Sequence, residues 1–271
     1  MSKAILLGTA GVAVAFGMLA FGYMAGQSQV ANAEDNREVV VASAGGVDKA
    51  EIEGIVHDYL LANPGIMREM QTLLDAQEKE EELQARLQVI ADARAEIFNA
   101  GYDGFIGNPD GKVTIVEFYD YNCGFCKRAQ EDMLTLTAAD PDLRFVLKEF
   151  PILGPDSQKS HVVSMAFRAV MPEKFGDFHN QLIGAPGRAT EEAAIRIALS
   201  LGADETKLRA EMANPSIQEA FGKTYELANK LSITGTPSYV VGNEVVFGAL
   251  GADVLTEKIE VAKACVDNAT C

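Results

Sequence analysis

Residues 111–126 read GKVTIVEFYDYNCGFC and join a predicted strand to a predicted helix. The β-branched and aromatic residues from Lys112 to Tyr119 favour a buried strand, and a helix is expected from about Gly124 to Ala138. Cys123 therefore lies where the helix begins, beside unpaired backbone N–H groups and the positive end of the helix dipole. Both favour the thiolate over the thiol, and only the thiolate attacks a disulfide. The position predicts a reactive sulfur at Cys123.

Cys126 follows one helical turn after Cys123, within reach of its sulfur. It can resolve a mixed disulfide by intramolecular attack, which completes a two-electron exchange. Three other uses of the pair stay open. The pair could be half of a zinc site, which would need two further ligands. It could bind a copper(I) ion, which two thiolates can hold. It could also form a purely structural disulfide, although so short a loop at the start of a helix is a poor place for one. The strand–CxxC–helix setting favours redox exchange.

The segments after the motif alternate between strand and helix patterns. A second strand is predicted over 143–150, ended by Pro151, and a hairpin over 238–241 and 244–247. Helices are predicted over 157–171, 173–183, 190–201, roughly 204–230, and 253–265. This order of elements predicts an α/β fold with a helical insertion.

The N-terminus carries an export pattern. Lys3 precedes an apolar run over 4–25, and a small-residue triplet, Ala-Asn-Ala, ends at Ala33. Residues 1–33 therefore predict a secretory signal peptide, with an uncleaved membrane anchor as the alternative. Both place the rest of the chain outside the cytoplasm, in the periplasm, where disulfides persist. Residues 34–47 are small and polar, and we predict a linker there.

Residues 48–100 are predicted to form amphipathic helices. Apolar residues recur at helical spacing over 52–60, and Asp48 with Glu51 resembles a capping box. A charged stretch, DAQEKEEE over 75–82, separates this stripe from the next and is expected to give hinge freedom. Because so short a segment cannot bury a core alone, its apolar faces need a partner. We expect self-association through 48–100, with docking onto the following domain as the alternative.

The charge balance disfavours one class of partner. Asp and Glu total 39 against 23 Lys and Arg, which gives a formal net charge of −16. Such a surface repels phosphate backbones, and no basic cluster in the sequence offsets it. We therefore predict no nucleic-acid partner.

Three motifs taken together resemble the DsbA-like branch of the thioredoxin superfamily. They are FYDYNCGFCK over 118–127, KEFPILG over 148–154 and TGTP over 234–237. The resemblance covers residues 111–264 and implies a thioredoxin fold.

The resemblance also implies how the chain divides into domains. It implies a thioredoxin-fold domain over 101–271, with its helical insertion at about 156–230. The segment over 48–65, which contains YLLANP, further resembles the N-terminal oligomerisation region of ScsC-type members of this family.

The same resemblance implies roles for residues around the cysteines. Pro237 would follow a cis peptide bond from Thr236, and these two residues would shape the substrate groove, where Thr236 would bind an extended peptide by strand addition. Gly124 and Phe125, between the cysteines, would contact the substrate. Glu117 stands where the family carries a buried acid, which would have a raised pKa and accept the proton of the resolving thiol. A solvent-facing strand position is the alternative for Glu117.

The remaining cysteines and histidines are assigned no part in catalysis. Cys265 and Cys271 are predicted to form a local structural disulfide, with a free or intermolecular pair as the alternative. His161 and His179 are interpreted as surface or packing residues rather than ligands. We predict no metal site and no organic cofactor, because the cysteine pair stores the electrons.

These features predict an exported thiol–disulfide oxidoreductase that acts on cysteine-containing exported proteins and is turned over by a membrane redox partner. Gly-Phe between the cysteines replaces the His-containing pair of the family's strong oxidases, so the thiolate should be less stabilised. With a homo-oligomer expected, isomerase or reductase character is favoured over oxidase character. A copper-binding or chaperone module, which uses the CxxC only as soft-metal ligands, is the alternative.

Overall fold

The computed structural model describes residues 48–267 of the 271-residue chain, with side chains as far as Cys265. The predicted signal peptide over 1–33, the linker over 34–47 and Cys271 lie outside these residues. Among the helices that are described, none combines the length and the apolar character needed to cross a membrane.

The described elements begin with helices and end with a hairpin and a helix. The helices before the sheet are α1 (Lys49–Ala62), α2 (Gly65–Asp92) and α3 (Arg94–Asn99). The strands are β1 (Gly104–Gly107), β2 (Val113–Tyr119), β3 (Leu143–Glu149), β4 (Ser238–Val241) and β5 (Glu244–Phe247). The other helices are α4 (Gly124–Ala139), α5 (Pro155–Val170), α6 (Phe175–Gly184), α7 (Glu191–Ser200), α8 (Glu205–Met212), α9 (Pro215–Lys230) and α10 (Ala252–Asp267), and a 3-10 turn covers Pro172–Lys174.

One five-stranded sheet organises the fold, in the order β1-β3-β2-β4-β5. β2 and β3 are parallel, from Val113 opposite Leu143 to Tyr119 opposite Glu149, and the other pairings are antiparallel. The CxxC motif follows the carboxyl end of β2 directly, at the edge where β3 also ends. This mixed sheet, with α5–α9 inserted between β3 and β4, confirms the predicted α/β fold with a helical insertion.

The sheet has a core on each of its faces because side chains alternate along β2. Ile115 and Tyr119 pack into the cluster that also holds both cysteines of the motif. Val116 and Phe118 point to the opposite face, where they join a second cluster. Glu117 shares the alternation of Ile115 and Tyr119, so it belongs to the face of the cysteines.

The chain forms two compact units, one up to Thr72 and one from Leu73 onward. This division differs from the predicted domain boundary at residue 100. The reason is that Ile90 and Ile97 are completely buried in the second sheet cluster, and Phe98 joins them there. The later part of the predicted oligomerisation segment is thus part of the sheet domain.

The described part of the first unit, residues 48–72, contains α1 and the first turns of α2, and α1 buries none of its residues. Asp48 is the N-cap residue of α1, but its side chain forms no cap hydrogen bond, so the predicted capping box is wrong. The exposed large apolar side chains of this unit are Ile52, Ile55, Val56, Tyr59, Leu61, Met67 and Met70.

The charged stretch over 75–82 belongs to an unbroken part of α2. Gln77 donates to Glu81, and Gln84 donates to Glu80, each four residues apart along the helix. Such pairs stabilise a solvent-exposed helix. The helix therefore has no break at the predicted hinge.

Three local predictions differ from the structure. β1 was not predicted, since its four residues, GFIG, begin and end with glycine, which is depleted in strands. The segment over 173–183 divides into a 3-10 turn and α6. The segment over 204–230 is two helices, because Asn214 caps the second one through Ser216 N–H and Pro215 begins it.

Candidate active site

Cys123 is the N-cap residue of α4, and Cys126 lies in the first turn of that helix. Both are free thiols. Cys123 is 6% exposed and Cys126 is completely buried, whereas Phe125 between them is 57% exposed. An approaching molecule therefore meets the Phe125 side chain and the small exposed part of Cys123, while Cys126 is shielded from solvent.

The pKa of Cys123 is lowered to about 5. A hydrogen bond from the Cys126 thiol contributes most, and the Thr236 hydroxyl and the backbone N–H groups of Cys126 and Phe125 add to it, against the burial of the sulfur. In the thiol form, Cys123 instead donates to the Thr236 carbonyl oxygen at 3.1 Å. The helix start and the 236–237 loop thus stabilise the thiolate from two sides.

Cys126 and Glu117 are both biased toward their neutral forms. Burial raises the pKa of Cys126 above its ordinary value, and the neighbouring Cys123 and Glu117 add to the rise. Burial also raises the pKa of Glu117 to about 8, and the Cys123 charge adds to that rise. Glu117 is 3% exposed, which excludes the solvent-facing alternative. A carboxyl group with a pKa near neutrality, beside a buried thiol, has the properties of a proton acceptor.

The Thr236–Pro237 peptide bond is cis, as predicted. The Pro237 carbonyl accepts a hydrogen bond from Gly248 N–H at 2.9 Å, which ties this loop to the residues after β5. Thr236 is half-buried beside Cys123, whereas Leu250 of the following loop is 52% exposed. The residues with predicted substrate contacts, Gly124, Phe125 and Thr236, therefore surround the Cys123 sulfur.

Asp120 connects two of the sequence motifs. Its buried carboxylate accepts hydrogen bonds from the backbone N–H groups of Asn122, Ile152 and Leu153 at 2.8, 2.9 and 3.0 Å, and from the Ser157 hydroxyl at 2.8 Å. Burial alone would raise its pKa, but the His161 ring, the Asn122 N–H group and the Ser157 hydroxyl lower it. One carboxylate thus holds the loop before Cys123 and the loop after β3 together.

Two side chains beside the cysteines connect the motif to the helical insertion. The Asn122 amide donates to the Ala189 carbonyl at 3.0 Å and accepts from Ala189 N–H at 2.8 Å. Lys127 donates to the carbonyls of Ala185 and Gly187 at 2.8 and 3.0 Å. The Lys127 ammonium therefore holds the 185–189 loop.

His161 and His179 are both buried, which agrees with the packing interpretation of these histidines and excludes the surface one. His161 forms a short hydrogen bond with the Glu149 carboxylate through Nδ1 and accepts from Tyr121 N–H through Nε2 at 3.2 Å. Burial alone would lower its pKa, but the carboxylates of Glu149 and Asp120 raise it to about 9, in opposition to the Tyr121 N–H contact, which requires an unprotonated Nε2. Burial lowers the pKa of His179 to about 3, with a contribution from His161.

Asp120, Asn122, Glu149 and His161 were given no role from the sequence. The available signal was their position, since polar residues that directly follow the ends of parallel strands meet at one sheet edge. Asp120 and Asn122 follow β2, and Glu149 ends β3. His161 gives no such signal, because its neighbours within α5 do not indicate that its face of the helix is buried.

Within residues 48–267, no group of three or more His, Cys, Asp or Glu side chains is arranged to hold a metal ion. Cys265 is disulfide-bonded, but Cys271 lies outside the described residues. Pairing between these two cysteines stays a prediction.

Two protein families match this chain. The DsbA-like thioredoxin domain family matches residues 114–260, and the N-terminal domain family of the copper resistance protein ScsC matches residues 48–81. The first match contains the CxxC motif and the 236–237 loop, and the second contains α1.

Known relatives agree with these matches. The disulfide bond formation protein D of Bacillus subtilis is 27% identical over 165 residues, which cover 57% of this chain and 74% of the relative. A thioredoxin-like oxidoreductase from Silicibacter pomeroyi DSS-3 is 37% identical, with a TM-score of 0.60, over 63% of this chain and 98% of its own. Proteus mirabilis ScsC, solved in a transitional conformation, is 28% identical, with a TM-score of 0.61, over 79% of this chain and 96% of its own.

Proposed function

This chain belongs to the family of DsbA-like thioredoxin domains and is a protein thiol–disulfide oxidoreductase, and we propose that Cys123 is the residue that attacks its substrates. The observation that carries this assignment is the Cys123 sulfur, recessed but accessible at the start of α4, with a pKa lowered to about 5. At neutral pH it is a thiolate, the form that attacks disulfides.

The exchange is a sequence of two displacements. The Cys123 thiolate attacks one sulfur of a substrate disulfide, forms a mixed disulfide and releases the other substrate sulfur as a thiolate. The mixed disulfide removes the Cys123 charge, one cause of the raised Glu117 pKa, so that Glu117 can accept the Cys126 proton. Cys126 then attacks the Cys123 sulfur, the second substrate sulfur leaves as a thiolate, and Cys123 and Cys126 form a disulfide. The two substrate thiolates take up their protons from Glu117 and from water. Run backward, the same steps oxidise a substrate dithiol.

Thr236 and Pro237 form the other side of the proposed substrate site. When Cys123 is ionised, the Thr236 carbonyl loses its hydrogen bond from the thiol and can pair with an extended peptide, as in strand addition. Phe125 packs its ring under the Arg128 guanidinium, 4.3 Å away, and offers its exposed face to the substrate.

Isomerase or reductase character is favoured over oxidase character. An isomerase needs the reduced thiolate and benefits from several active sites in one particle. The match of residues 48–81 to the ScsC N-terminal domain and the exposed apolar side chains of α1 support a homo-oligomer. The apolar segment over 4–25 supports export to the periplasm, where a membrane redox partner would reset the cysteine pair.

Activity on a scrambled-disulfide protein tests these roles. Cys123→Ser should abolish the exchange, whereas Cys126→Ser should accumulate a mixed disulfide and retain part of the isomerisation. Exchange that survives in Cys123→Ser would overturn the assignment of the nucleophile. If the Cys123–Cys126 dithiol serves copper binding instead, the reduced chain should take up copper(I) tightly and show no activity on the scrambled substrate.

A further inference from the structure

The short loop between β2 and α4 carries the nucleophile, and its backbone is tied to the helical insertion. Cys123 N–H donates to the Asp120 carbonyl at 2.9 Å, which closes a turn over residues 120–123. Inside that turn, Tyr121 N–H donates to Nε2 of His161, at 3.2 Å, on α5. The turn therefore depends on one histidine nitrogen for a buried backbone partner, and an unpartnered backbone group there would be costly.

The partners of His161 define which of its nitrogens carries a proton. Tyr121 N–H has only a hydrogen to offer, so Nε2 must be an unprotonated acceptor. Asp120 Oδ1 lies 3.9 Å from Nε2, beyond hydrogen-bond length. Nδ1 faces the Glu149 carboxylate and donates to it. The Tyr121 contact therefore requires the neutral form with its proton on Nδ1, whereas the two nearby carboxylates favour a proton on both ring nitrogens.

Glu149 is itself held in place. Its second oxygen accepts from the Ser164 hydroxyl at 2.7 Å, and Ser164 also contacts the Tyr121 hydroxyl at 2.8 Å. The Tyr121 hydroxyl lies 3.3 Å from Nδ1 of His179. A carboxylate that orients a histidine, whose other nitrogen contacts a third group, is a recurring way to fix a tautomer.

We propose that Glu149 and His161 are positioning residues for the attacking cysteine. Glu149 keeps the proton on Nδ1, and Nε2 then holds Tyr121 N–H, two residues before Cys123. This contact fixes the turn from which α4 begins and so keeps the Cys123 sulfur aligned with the N–H groups of Phe125 and Cys126. The inference rests on the proposed function, in which the Cys123 thiolate is the nucleophile.

Two substitutions at position 161 separate this role from packing. His161→Gln keeps an acceptor oxygen near the place of Nε2, whereas His161→Phe keeps a ring and removes the acceptor. The Cys123 pKa, measured from the pH dependence of alkylation, should rise by about one unit in His161→Phe, as expected for one lost hydrogen bond. His161→Gln should stay close to the wild type. If packing alone matters, both variants should lose stability while the Cys123 pKa stays unchanged.

The role of Glu149 is tested by ¹⁵N NMR of the His161 ring. In the wild type, Nε2 should give the signal of an unprotonated nitrogen and Nδ1 that of a protonated one. Glu149→Gln removes the charge that holds this proton, so it should increase the Nε2–H form and raise the Cys123 pKa. A protonated Nε2 in the wild-type chain, or ring signals unchanged by Glu149→Gln, would overturn the proposal even if His161→Phe does not fold.

The two proposals fail separately. A folded His161→Phe variant with the wild-type Cys123 pKa and full exchange activity removes the positioning role and leaves the nucleophile assignment intact. Exchange that persists in Cys123→Ser removes the function itself, whatever the His161 variants show.

Discussion

Glu117 on β2 lies opposite Tyr239 on β4 in register, and the Tyr239 hydroxyl donates a hydrogen bond to its carboxyl group. The pair is buried on the sheet face that also holds Cys126. The hydrogen bond favours the ionised carboxylate, but burial and the Cys123 thiolate outweigh it, so the pKa of Glu117 is raised to about 8. The acid is thereby kept near the point where it can either hold or release a proton.

Glu117→Gln should change how stability depends on pH. The unfolded chain ionises this group near pH 4.5, whereas the folded chain keeps it protonated up to about pH 8. The group therefore lowers the wild-type free energy of unfolding as the pH rises through this window. Urea unfolding of the reduced chain should show this decrease in the wild type and in the exposed control Glu131→Gln but not in Glu117→Gln. Parallel pH profiles would contradict the buried-acid account.

The same substitution should slow the second displacement. Without a proton acceptor beside Cys126, release of the mixed disulfide should fall by about 10²-fold, the lower end for a lost general base. Stopped-flow exchange with a fluorescent peptide disulfide measures this step separately from the first attack, which should keep its wild-type rate. An equal effect on both steps would contradict the role of Glu117.

Asp120→Asn should destabilise the fold. The amide cannot accept all the hydrogen bonds that the carboxylate receives from the two loops, so the free energy of unfolding should fall by about 2 kcal/mol. The pKa of Asp120 is lowered in the folded chain. Its stabilising contribution is therefore present above the unfolded-state pKa and is lost as the pH falls through the folded value. Chemical unfolding at neutral pH tests this, with the exposed Asp110→Asn as control. A loss no larger than that of the control would refute the bridging role.

Thr236→Val should weaken the Cys123 thiolate. The substitution keeps the shape of the side chain and removes the hydroxyl that donates to the sulfur. The Cys123 pKa should rise from about 5 by about one unit, as measured by thiolate absorbance against pH. Thr234→Val, at an exposed position of the same loop, should leave the titration unchanged. If both variants titrate as the wild type does, the hydroxyl has no part in stabilising the charge.

Ile55→Lys should reduce the size of the particle in solution. Ile55 is 60% exposed on α1 together with other apolar side chains, and a charge in an apolar contact between copies costs desolvation energy. Light scattering should give a smaller mass for Ile55→Lys than for the wild type. His57→Lys adds a positive charge to the same helix at a position that is not one of its exposed apolar side chains. This variant should keep the wild-type mass. A wild-type monomer would contradict self-association and remove the main support for isomerase character.

The strand–CxxC–helix unit was predictable because its signals are local. A run of β-branched and aromatic residues predicts β2, and the cysteine spacing places both sulfurs at the start of α4. The burial of Glu117 followed from a family resemblance, since Val116 and Phe118 beside it do not indicate which face of the sheet it occupies. The long-range register with Tyr239 determines that face.

The parts that were missed depend on contacts distant in sequence. His161 lies 40 residues from Tyr121, whose N–H it accepts, and its burial follows only from the packing of α5. The observed domain boundary differs from the predicted one because Ile90 and Ile97 pack against the sheet. Amphipathic spacing predicts that a helix has an apolar face, but it does not indicate what that face packs against. β1 was missed because its short glycine-flanked sequence forms a strand only through pairing with β3.

The alkylation rate of Cys123 as a function of pH tests the central claim most directly. The reduced wild-type chain and the reduced Cys126→Ser variant are reacted separately with iodoacetamide over a range of pH. The modified residue is identified by mass spectrometry. The full chain should show a half-maximal rate near pH 5 at Cys123, and Cys126→Ser should shift it upward if the Cys126 thiol stabilises the charge. A midpoint near 8.5, the value for a free cysteine, would contradict the claim that the start of α4 holds a reactive thiolate.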